Sequence, residues 1–170
     1  NKYKIMNRLA GHSYIPTPSA LNSKKAIVNV KNTDDMCFIY SILALLKRNI
    51  IRSHRNRVSS YENYLDELNF DPISDCPMKL CDIPKFEMKN KDLNLAINVL
   101  TYRTTPAKPF ENIVDDNYIP HHPQLDIIHR SKVIGGEPLY LLLLEDGDNF
   151  HYTAVFNLQK LMNSHPSSEC

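Results

Sequence analysis

Glycine is scarce in this chain, with four among 170 residues, two of them adjacent at Gly135 and Gly136. No glycine-rich phosphate loop can be assembled from so few, so nucleotide-dependent chemistry has no support. Long apolar runs are also lacking: nothing approaches the roughly 20 consecutive apolar residues that span a bilayer. The first residues carry no signal-peptide pattern, and no membrane partner is expected. A charge excess is missing too. Twenty basic residues stand against nineteen acidic ones, a net charge of +1, whereas a nucleic-acid binder normally carries a basic excess or stripe. The one basic stretch, with Lys47, Arg48, Arg52, Arg55 and Arg57, reads as a solvated face, and nucleic acid is not expected to bind this domain alone. Four cysteines are too few for a disulfide framework in a chain of this length. A reducing compartment, cytoplasmic or nuclear, is the expected location.

What is present suits one soluble domain with a real core: 42% of residues are apolar and 23% charged. Residues 1–25, broken by Pro16 and Pro18, read as an extended arm pinned by Tyr14 and Ile15, residues 26–163 as the domain, and residues 164–170 as a polar tail. Ala26–Val30 has strand character. After the turn residues Asn32–Asp35, the apolar positions Phe38, Ile39, Ile42, Leu43, Leu45 and Leu46 occupy more than half a helix circumference, which predicts a helix buried on most sides. Asp34 or Asp35 is placed to cap it, with Cys37 in its first turn. Ser59 and Glu62 have capping-box spacing and predict a second helix to Leu68. Residues 70–90, with Pro72, Pro77 and Pro84, read as loop with at most one helical turn. Strands are expected at Leu93–Tyr102, Phe110–Val114, Leu125–His129, Tyr140–Leu144 and Tyr152–Phe156, with a turn at His121-His122-Pro123 and a short helix at Leu158–Met162. Helix first and sheet second predicts an α+β domain, an early helix packed on a late antiparallel sheet.

Two residues stand out chemically. A thiol in the first turn of a helix gains thiolate character from the partial positive charge there, and the same N–H groups can receive an oxyanion. Cys37 fits that description, although a free cysteine also serves as a small core residue. His151, opening a late strand after the turn Glu145–Asn149, is suited to take the thiol proton and return it to a leaving amine. For a third member, Asn157 reaches the ring only if the chain turns after the strand; Asp148 and Asn149 approach from the preceding turn. Asn32 and Asp34 are candidates for supporting the oxyanion site, Asn32 alone having a side-chain N–H donor. Cys76 and Cys81, four residues intervening, with His121 and His122 form a conceivable metal set, but a loop cysteine pair is the simpler account. No cofactor or metal is called for.

The run from Asn32 to Ser41, with Asp34 three residues before Cys37 and Phe38 after it, resembles the nucleophile motif of ovarian-tumour-type and related papain-like cysteine proteases; Asp35 stands where those motifs commonly have glycine. The segments KNTDDMCFIYSILALL, RVSSYENYLDELNF, DIPKFE, LNLAINVL and HYTAVFNLQKLM resemble a module in proteins encoded by large DNA transposons of animals, itself similar to viral and transposon-borne papain-like proteases. The resemblance implies a papain-like cysteine protease fold, a Cys37–His151 catalytic pair, and a deubiquitinase with ubiquitin or a ubiquitin-conjugated protein as partner. The aromatic and apolar residues Tyr14, Tyr118 and Ile119 are candidate contacts for such a partner, core packing accounting equally well for the latter two. The rival expectations are a polyprotein-processing protease and a non-catalytic binding module of a transposon protein.

Overall fold

In the computed structural model, residues 10–103 and 124–163 are described. The expected strand at 110–114, the turn at 121–123, Tyr118, Ile119 and the tail 164–170 lie outside these residues. In chain order the elements are α1 (Ser19–Asn22), β1 (Ile27–Val28), α2 (Cys37–Leu46), α3 (Ile83–Lys89), β2 (Leu95–Arg103), β3 (Gln124–His129), β4 (Glu137–Asp146), β5 (Asn149–Val155) and α4 (Leu158–Met162). The molecule is a mixed α+β fold in which α2 lies on a five-stranded sheet of order β1-β5-β4-β2-β3.

The sheet departs from the antiparallel expectation at its centre, where β2 and β4 run parallel. The chain places β3 antiparallel on the outer side of β2, then crosses back to lay β4 on the other side. A parallel pair needs such a crossover, whereas β4 and β5 join through the tight turn at Gly147, whose φ of 60° suits glycine.

Two further expectations are corrected. The stretch expected to be a helix from Ser59 to Leu68 forms two 3₁₀ segments, Val58–Ser60 and Glu62–Glu67. Residues 80–89, expected to hold at most one turn, form a 3₁₀ turn and then α3. Pro84 falls in the first turn of α3, where its missing N–H would have had no intrahelical partner.

Alternation along β4 and β5 divides the core. Leu141, Leu143, Tyr152 and Ala154 face α2, joined by Phe38, Ile39, Ile42 and Leu43, while Leu142, Leu144 and Val155 face the other way onto Ile15, Leu21, Ala26 and Leu161. Every residue of α2 from Cys37 to Leu45 is buried, consistent with its apolar circumference. Each large side chain so placed contributes about 1.5–3 kcal/mol. Phe38 anchors the contact, edge-on to Phe86 at 5.1 Å and to Tyr152 at 5.3 Å. In the basic stretch, Lys47 pairs with Glu67 and Arg48 and Arg55 stack on Phe156 at 5.1 and 5.0 Å, while Arg48, Arg52 and Arg57 stay exposed to solvent.

Candidate functional site

The turn before α2 is built by Asp34 rather than by a side-chain N-cap. The residue preceding the helix is Met36, and Asp34 Oδ1 accepts its N–H at 3.0 Å. Asp34 Oδ2 accepts Tyr40 Oη–H at 2.7 Å, tying the turn to the first turn of the helix. Asn32 Nδ2 donates to the Asp34 carbonyl at 2.6 Å and to the His12 carbonyl at 3.4 Å. Both residues thus shape the loop that delivers Cys37, and the Asn32 amide N–H groups are committed to backbone carbonyls.

Cys37 opens α2 and is fully buried, with 0% exposure. Pairing of β1 with β5 stops at Val28↔Ala154. Beyond that point the Tyr152 N–H has no β1 partner, and it donates to Cys37 Sγ at 3.5 Å. The late strand therefore arrives at the helix N-terminus one residue from His151. Burial pushes the thiol up to about 12; the N–H groups of Tyr152 and Phe38 act in the opposite sense and are outweighed.

His151 is likewise fully buried. Its Nε2 lies 2.7 Å from Asn29 Oδ1. The Asn29 amide orientation is fixed by its other end, because Nδ2 donates to the Ile15 carbonyl at 2.7 Å and to Thr17 Oγ1 at 3.1 Å. Oδ1 can then only accept, so the neutral imidazole carries its proton on Nε2 and presents a lone pair at Nδ1. Nδ1 is buried, and no group among the described residues meets it at full hydrogen-bond geometry. Tyr14 packs edge-on against the ring at 5.6 Å. Burial lowers the imidazole to about 4, with the Val30 carbonyl partly opposing.

Among the described residues no hydrogen bond joins Cys37 to His151. The sequence candidates for the third member lie elsewhere. Asn157 caps α4, its Oδ1 accepting the Lys160 N–H at 2.9 Å. Asp148 is exposed in the β4–β5 turn, and Asn149 Nδ2 reaches the Ser13 carbonyl at 3.4 Å. The residue on the ring is Asn29, which sequence reasoning placed in a strand and gave no role. Its one signal was position: a polar residue in an otherwise apolar strand, just before the cysteine turn.

Cys37, Cys76 and Cys81 are free thiols. No cluster of three or more potential metal ligands occurs among the described residues, and no helix there is long and apolar enough to cross a membrane. Compared with protein-family models, curated proteins and solved structures, the chain matches none.

Proposed function

We propose that this chain is a thiol-dependent peptide or isopeptide hydrolase of the papain-like kind, acting through Cys37, His151 and Asn29. The observation that carries the reading is the state of the His151 ring. One nitrogen is held by Asn29 Oδ1, while the other is buried with no hydrogen-bond partner among the described residues, on a residue whose neighbour donates its N–H to the Cys37 sulfur. A buried unpaired imidazole nitrogen costs about 1–3 kcal/mol, a cost expected where a base is held ready to accept a proton.

In this mechanism Nδ1 takes the Cys37 proton and the thiolate attacks the carbonyl carbon. N–H groups at the start of α2 receive the negative charge on oxygen. His151 returns the proton to the departing amine, leaving a thioester. Nδ1 then takes a proton from water as the hydroxyl attacks, and the thiol is released with the acid product. Asn29 is a positioning residue that sets the tautomer. Ubiquitin-conjugated proteins are the proposed substrates, through the resemblance of the Asp34–Phe38 motif; a polyprotein junction is the alternative within the same chemistry.

A second reading, a non-catalytic binding module, is favoured by one observation: the thiol and the imidazole are both fully buried, each biased to its neutral form. The two readings part in one assay. Slow hydrolysis of a ubiquitin C-terminal fluorogenic substrate is expected from the parent chain and is abolished by Cys37→Ala and His151→Ala. Full activity in Cys37→Ala would remove the assignment, as would salt-dependent DNA binding as the only measurable property.

A further inference from the structure

The segment that covers the candidate site belongs to this chain. Ala10 forms an antiparallel bridge with Lys79, and the Gly11 N–H donates to the Met78 carbonyl at 3.4 Å. On the opposite wall the His12 N–H donates to the Phe150 carbonyl at 2.7 Å. The segment thus crosses between residues 78–79 and the start of β5, bonded through its main chain to both. Side-chain amides from the floor hold its carbonyls: Asn32 to His12 and Asn149 to Ser13, each at 3.4 Å, and Asn29 to Ile15 at 2.7 Å. Tyr14 closes over His151, and Ile15 is anchored in the second core cluster.

Gly11 sits on the thiol. A Cβ added there would lie 2.6 Å from Cys37 Sγ and 2.8 Å from Tyr152 Cε2. Both are distances that real carbon contacts do not reach, so only glycine fits opposite the sulfur. The main-chain bonds at Gly11 and His12 do not depend on side-chain identity, and any extended chain with glycine in register can make them. Asn29 links cover and chemistry, because one end of its amide holds the segment and the other the imidazole.

We propose that the channel between Met78 and Phe150 is a groove for an extended peptide with glycine opposite Cys37, and that residues 10–14 are its internal occupant, shutting the site until displaced. The consequence for activity rests on the hydrolase reading; occupancy of the groove does not. The polar strap accounts for the burial of two reactive side chains at a helix and strand junction. It also defines the ligand class: a peptide bound by backbone pairing, with no side chain at the thiol.

The test is alkylation of Cys37 by iodoacetamide in the full chain, followed by peptide mapping to separate it from Cys76 and Cys81. Gly11→Val forces a side chain onto the sulfur, and His12→Pro removes the N–H that reaches Phe150 without adding volume at the thiol. Both are expected to speed alkylation at least about tenfold, the scale of a local opening made more frequent, with near-ultraviolet circular dichroism unchanged. A synthetic peptide of residues 10–17 should slow the Gly11→Val protein again, and the same peptide carrying Gly11→Val should not. Equal rates in the parent and in both folded variants, or acceleration that the glycine peptide leaves untouched, would overturn the proposal. Alkylation that the glycine peptide slows, without hydrolysis of any substrate, would keep the groove and remove the hydrolase.

Discussion

Asn29 Oδ1 accepts from His151 Nε2 at 2.7 Å across 122 positions of sequence, while the amide nitrogen of the same side chain holds the Ile15 carbonyl. Asn29→Ala leaves the buried Nε2–H unpaired and should cost about 1–3 kcal/mol. Asn29→Asp separates positioning from packing, because a carboxylate there favours the charged ring. The imidazole pKa, followed by NMR, should rise above its parent value in Asn29→Asp and not in Asn29→Ala. A pKa unchanged in Asn29→Asp would contradict the contact.

The two buried groups set opposite limits on stability with pH. His151 is lowered from 6.5 to about 4. Between those values the unfolded chain binds a proton that the folded chain does not, so stability is full above the ordinary histidine range and falls as pH drops from 6.5 toward 4. The full effect is about 3 kcal/mol. Cys37 is raised from 9.0 to about 12; the folded chain keeps a proton that the unfolded chain loses, so stability falls as pH rises through that interval. Urea midpoints should show both limbs, the acid limb flattening in His151→Phe and the alkaline one in Cys37→Ala. An acid limb unchanged in His151→Phe would assign it to other groups.

Phe38 joins α2 to both α3 and β5 through its edge contacts with Phe86 and Tyr152. Phe38→Ala should cost about 3–5 kcal/mol in chemical denaturation, the range for a large buried aromatic. A loss under 1 kcal/mol would mean that the core closes around the gap.

Asp34 accepts from Met36 N–H and from Tyr40 Oη. Tyr40→Phe removes one of these bonds and should cost about 0.5–1.5 kcal/mol, whereas Asp34→Ala removes both and should cost more. Thermal unfolding of the two variants provides the comparison. An equal cost would show that the Met36 bond carries none of the turn's stability.

The sequence made some of this legible and hid the rest for identifiable reasons. The apolar circumference from Phe38 to Leu46 placed α2, and the alternation after His151 placed β5, because both signals are local periodicities. The third member was sought at Asn157 and Asp148, near His151 in sequence. The residue that reaches the ring is instead Asn29, just past the end of β1, brought there by a β1–β5 pairing that no local pattern encodes. The apolar character of Tyr14 and Ile15 marks them as pins of the arm, but Gly11 gives no sign of its place, because its meaning lies in a sulfur atom on another element. Pro84 disguised α3 by looking like a loop residue in a position that also suits a first helical turn. The parallel β2–β4 pair was missed because adjacent apolar runs suggest hairpins.

The most direct test of the hydrolase account is covalent capture of Cys37 by a ubiquitin bearing a C-terminal electrophile, read by intact mass and peptide mapping. The account predicts a single adduct on Cys37, slow in the parent, faster in Gly11→Val, and lost in Cys37→Ala and in His151→Ala at neutral pH. No adduct in either the parent or the Gly11→Val protein, or an adduct that persists in Cys37→Ala, would contradict it.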